Sequence, residues 1–190
     1  MHRIPKCGRV FVVLACVLAV GAAGYPARSV PPSKFADGVC SAMNDWIKSL
    51  KQGATQYQTE LEGADATNLP AVRDSITAYL ATTVSKTDRL TATLRTIGAP
   101  NTPKGKQVER GLLAAFAKVH RAFAVAQDMS RSVSTTDVEQ FKTDAQGVDA
   151  QINSASEKFG HAFDALDKLD PNHALEKAFK RQAACRTLAA

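Results

Sequence analysis

Four stretches of this chain repeat apolar residues at steps of three and four, and no other feature constrains its fold as tightly. The first, Phe35 to Leu61, carries Val39, Met43, Trp46, Leu50, Gly53 and Tyr57, which fall along one side of a helix. A stripe on one side needs a partner, and three later stretches offer the same repeat. Asn68 with Pro70 opens a second helix bearing Leu69, Val72, Ile76, Tyr79, Thr83, Thr87, Leu90, Leu94 and Ile97, stopped by Gly98-Ala99-Pro100. Thr102 and Pro103 repeat the cap-and-proline device before a third helix with Val108, Leu112, Phe116, Val119, Phe123 and Ala126. Thr136 with Glu139 three residues on reads as a capping box for a fourth helix, whose stripe runs Val138, Phe141, Ala145, Val148, Ile152, Ala155, Phe159, Ala162, Leu166, Leu169. Asp170 and Pro171 then cap a short fifth helix with Leu175, Ala178, Phe179 and Leu188, and Cys185 falls in its last turns.

Long helices joined by short connections predict an all-α fold: an antiparallel up-down four-helix bundle with a short C-terminal fifth helix. Four alternating passes return the chain to the end where the first helix began. That end holds Cys40, so a fifth helix lying across the base brings Cys185 within reach of it.

The first 24 residues have the three regions of a secretory signal peptide: basic Met1 to Arg9, apolar Val10 to Val20, and small Gly21 to Gly24. Cleavage is expected after Gly24, or failing that after Ala27. The apolar run is shorter than the roughly 20 residues a spanning helix wants. Val13-Leu14-Ala15-Cys16 loosely matches a lipobox, which makes Cys16 a candidate for lipidation. Removal of the leader discards Cys7 and Cys16 and leaves Cys40 and Cys185, an even pair that reads as a disulfide in an oxidising compartment. Residues 25–34, with Pro26, Pro31, Pro32, Ser29 and Ser33, read as a solvated linker, with Ser33 capping the first helix, and residues 35–190 as one helical domain.

Basic residues number 24 and acidic 18; Arg3, Lys6 and Arg9 belong to the leader, so the exported part is mildly basic, with signs interspersed along the chain. No nucleic-acid surface is expected from that balance. Membrane contact is expected only if the leader is retained or Cys16 is lipidated.

The candidate chemical groups are few. Glu157 and His161 are four apart, whereas a di-iron bundle needs Glu-x-x-His twice. His120, near the apolar edge of the third helix, reads as a boundary histidine and His173 as a solvated one. Gly98 to Lys106 has six residues between its glycines and Gln107 where a phosphate loop has Ser or Thr, so it reads as a helix connection. Trp46 and Tyr57 lie on the apolar stripe and read as core. Lys177, Lys180 and Arg181 read as a solvated face near a helix C-terminus. No nucleophile elbow occurs, so no catalytic residue and no cofactor are assigned.

Cys40 followed by Trp46, the connection Gly98-Ala99-Pro100 with Pro103 and Gly105, and the late Cys185 together resemble a group of small exported helical proteins and lipoproteins of mycobacteria, streptomycetes and related actinobacteria. The resemblance implies a cell-envelope or secreted location and a helical bundle, and it carries no catalytic residue. The expectation is a non-enzymatic interaction module for an envelope or extracellular protein; the alternative is a carrier of an apolar ligand, lipid or haem, held between helices.

Overall fold

Prolines, glycines and short polar side chains mark where the helices start and stop. The structure, a computed structural model, describes residues 28–63 and 67–188; the side chains of 155, 156 and 158–167 lie outside that description. Its elements are β1 (Ser29–Val30), α1 (Pro32–Gly63), α2 (Leu69–Ile97), β2 (Ala99–Pro100), α3 (Gly105–Arg131), α4 (Val138–Asp167), α5 (Ala174–Arg181) and α6 (Ala183–Arg186). The leader and Cys16 fall outside the described residues.

Two predicted starts hold. The Asn68 side chain accepts from the Ala71 amide at 3.2 Å, with Pro70 in the first turn of α2. Asp170 accepts from the amides of Ala174, Leu175 and Glu176 at 2.8 to 3.0 Å, capping α5 from four residues upstream.

Two others differ. Thr102 does not cap α3: the Gly105 amide donates to the Thr102 carbonyl at 3.0 Å, so Thr102-Pro103-Lys104-Gly105 is a β-turn with proline at its second position. Proline's fixed φ serves that turn, and α3 begins only after it. At α4 the cap is Asp137, which accepts from the Gln140 amide at 2.7 Å, while Glu139 reaches Lys142. Asp137, one residue nearer the helix, caps the Gln140 amide in place of the Thr136 bond to the Glu139 amide that the capping box implies.

Each helix packs on the next, α1 on α2, α2 on α3 and α3 on α4, with α5 and α6 lying against α1. Trp46 of α1 meets Thr87 of α2, and Tyr57, three turns further along α1, meets Tyr79, two turns earlier on α2. The buried side chains form two clusters. One joins Phe35, Val39, Met43, Leu90, Leu94, Leu112, Phe116 and Leu175. The other joins Leu80, Ala126, Val133, Phe141 and Val148, with Tyr79 and Ile152 at its margin.

The stripes are displaced in places. Leu80 is fully buried while its neighbour Tyr79 is half-buried, because the Tyr79 ring turns aside to stack on Tyr57 with centroids 5.2 Å apart. Val138, placed on the apolar stripe of the fourth helix, is 52% exposed, since it opens the helix at the rim.

Residues 25–34 are not wholly a solvated linker. Ser29–Val30 pair in parallel with Ala99–Pro100, with the Ala99 amide donating to Arg28 and the Asn101 amide to Val30, at 2.9 and 2.7 Å. Val30 is buried, and Pro100 gives up no ladder bond because only its flanking amides donate. The helix that follows begins at Pro32, where the Phe35 amide already reaches the Pro31 carbonyl, so Ser33 lies inside α1 and does not cap it. Gly98 makes the pairing possible: its φ is +86°, and a Cβ there would fall 2.2 Å from the Arg28 oxygen. The expected single fifth helix is two: Gln182 is extended, with ψ 131°, and breaks α5 from α6 so that Cys185 turns back towards α1.

Candidate functional site

Cys40 and Cys185 are disulfide-bonded, with Cα atoms 5.0 Å apart across a sequence separation of 145. Cys40 sits on the buried side of α1 beside Val39 and Met43, whereas Cys185 is half-buried on α6. One turn along α1, the Asn44 amide donates to the Ala184 carbonyl at 2.6 Å and to the Thr187 hydroxyl at 2.8 Å. Phe179 of α5 meets Phe35 edge-on with centroids 6.4 Å apart. The last two short helices are therefore held to the start of α1 by a covalent bond, a side-chain clip and an aromatic contact.

The aromatic candidates pack as core. The Trp46 indole N–H donates to the Thr87 hydroxyl at 3.2 Å, and its ring meets Phe116 edge-on at 5.7 Å. Thr87 is fully buried and spends its own hydrogen on the Thr83 carbonyl at 2.8 Å, so a chain of hydrogen bonds runs from α1 into the backbone of α2. Desolvation raises the Tyr57 pKa above its ordinary value, and the charge of Asp149 and the nearby Tyr79 hydroxyl push it the same way.

The charged candidates are engaged at the surface. His120 Nε2 lies 3.1 Å from Asp88 Oδ1, bridging α3 to α2. His173 has a left-handed backbone and places Nδ1 2.7 Å from Glu176, which Lys180 also reaches. The hydrogen bond from Lys180 is the main cause that lowers the Glu176 pKa, helped by His173. Asp144 is lowered chiefly by the Ser134 amide and then by Gln140. Lys177, Lys180 and Arg181 are exposed, as is Glu157, while the His161 side chain lies outside the described residues. No three His, Cys, Asp or Glu side chains converge as metal ligands among the described residues.

Two hollows stand out. One, of about 910 Å³, runs along α1 past Ile47, Lys51 and Thr55 to Leu188. The other, of about 340 Å³, lies beside the α2–α3 connection and is lined by Ser29, Thr102, Lys104, Lys106 and Arg110. Gly98 to Lys104 is thus a helix connection, with Gly105 and Lys106 opening α3, and it is folded tightly: a Cβ on Gly105 would fall 1.7 Å from the Pro100 oxygen.

Sequence reasoning missed Asn44 and Thr87 as partners. Asn44 carries no periodic signal, and Thr87 stood in the stripe only as a small residue. No family model, no curated protein and no solved structure matches this chain.

Proposed function

We propose that the chain is a non-enzymatic secreted or cell-envelope interaction module, in which α1 to α4 close as an antiparallel up-down bundle presenting its outer faces to an envelope or extracellular protein. Kinship with the small exported helical proteins of actinobacteria belongs to the same reading. The observation that carries it is the use to which the reactive side chains are put. Asp170 caps a helix, His120 and His173 sit in surface pairs, the Trp46 and Tyr57 rings pack between helices, and both described cysteines form a cross-link. A cross-link between residues 145 apart also suits an oxidising compartment.

The hollow along α1 favours the second reading, an extracytoplasmic carrier of lipid or haem, because about 910 Å³ falls within the range of ligand sites. Native mass spectrometry of the exported protein separates the two. The interaction module predicts the mass of the bare chain, and a reproducibly bound small molecule overturns it. Intact mass with N-terminal sequencing tests the exported form: a start at Tyr25 is expected, and an acylated Cys16 would replace the soluble form by an anchored one.

A further inference from the structure

The two signs of charge alternate along the chain but separate in space. Around the first core cluster, residues 28–38, 92–112 and 168–188 hold eleven basic and four acidic residues. Around the second, residues 54–63, 67–75 and 128–150 hold three basic and eight acidic. The helices between them are on the order of 40 Å long, so the molecule has a cationic and an anionic end well beyond one screening length apart.

The cationic end is also the less neutralised. Arg28, Arg95, Lys104, Lys106 and Arg110 are all exposed, and none has a carboxylate within ion-pair distance among the described residues. At the other end, Asp74, Asp128 and Glu139 are paired with Arg73, Arg131 and Lys142. The five unpaired cations come from three separate parts of the chain: the residue before β1, the last turn of α2, and the turn and first residues of α3. Such a spread suits a plane of anionic groups better than one small anion.

We propose that the end of the molecule formed by Arg28, the α2–α3 connection and the start of α3 docks on the anionic face of a phospholipid bilayer, with the acidic end turned away. The inference rests on the reading of an exported cell-envelope module and adds a lipid surface to the protein partner of that reading. Long flexible cations need no shape match with headgroups, and each one near an anionic surface is worth roughly fivefold in binding. Repulsion of the acidic end fixes which way the molecule stands.

The test is flotation of the full chain with phosphatidylglycerol–phosphatidylcholine vesicles and with phosphatidylcholine vesicles alone, comparing the native protein with Lys104→Glu/Lys106→Glu/Arg110→Glu. Partition onto anionic vesicles should fall by at least roughly a hundredfold in the triple variant, since it removes three cations and adds three carboxylates. Partition onto zwitterionic vesicles, which carry no net charge for the cations to meet, should be equal for the two proteins. Should the triple variant misfold by circular dichroism, Lys106→Glu alone should lose about fivefold or more. Equal partition of native and variant onto anionic vesicles would overturn the proposal. So would tighter binding to soluble polyphosphate than to vesicles, or a salt-sensitive self-association without lipid that accounts for the charge effect. A bound small molecule in the native mass spectrum overturns the interaction-module reading and leaves the vesicle comparison standing.

Discussion

At Gly98 two distant parts of the chain meet backbone to backbone. The left-handed φ and the approach of the Arg28 carbonyl both exclude a side chain there. Gly98→Ala should therefore cost about 2 to 3 kcal/mol in urea unfolding, and limited proteolysis should cut near Arg28 earlier than in the native protein. Tyr57 makes a prediction about alkaline pH. Because burial raises its pKa in the fold, the folded state holds the phenolic proton more tightly than the unfolded chain does. Its contribution is fully present below the unfolded value near 10 and is lost as pH rises through the higher folded one. Tyr57→Phe should flatten the decline in melting temperature above about pH 10; an unchanged alkaline slope would show that another group carries it.

Among the elements, α5 depends most on a single side chain. Asp170 is buried and satisfies three amides at the start of a helix only eight residues long, which has little stability of its own. Asp170→Ala should cost about 2 kcal/mol and raise amide exchange across residues 174–181 before the long helices are affected. The long helices were legible because their apolar residues repeat over many turns, and Asn68-Pro70 and Asp170-Pro171 marked starts where only a cap fits. Two of the misread starts, those of α3 and α4, fall where two devices stand side by side. Thr102-Pro103 opens a β-turn as well as it opens a helix, and Thr136 and Asp137 are adjacent capping residues, either of which can start the helix. The pairing of Ser29–Val30 with Ala99–Pro100 left no periodic trace, since two-residue strands have too few positions to show one. The spatial separation of charge was hidden for a different reason: it depends on which helix ends share a neighbourhood, which a linear count does not contain.

For the molecule as a whole, the disulfide limits how far the unfolded chain can spread. Closing a loop of 145 residues stabilises the fold by about 5 kcal/mol in the chain-entropy model. Cys185→Ser should lower the melting temperature by on the order of 10 °C while leaving helix content at low temperature unchanged. Equal melting of the two proteins under oxidising conditions would show that the cross-link contributes no stability. The same sulfur bridge also decides how the protein bears tension. A pull applied at Arg28 and Leu188 passes through the first turns of α1 to Cys40, crosses to Cys185, and leaves by the last three residues. The long helices lie on a slack branch in parallel with that path, so a stretched molecule lengthens by at most about 50 Å of chain before the load reaches a covalent stop, and its core stays folded under forces that would unravel the reduced form.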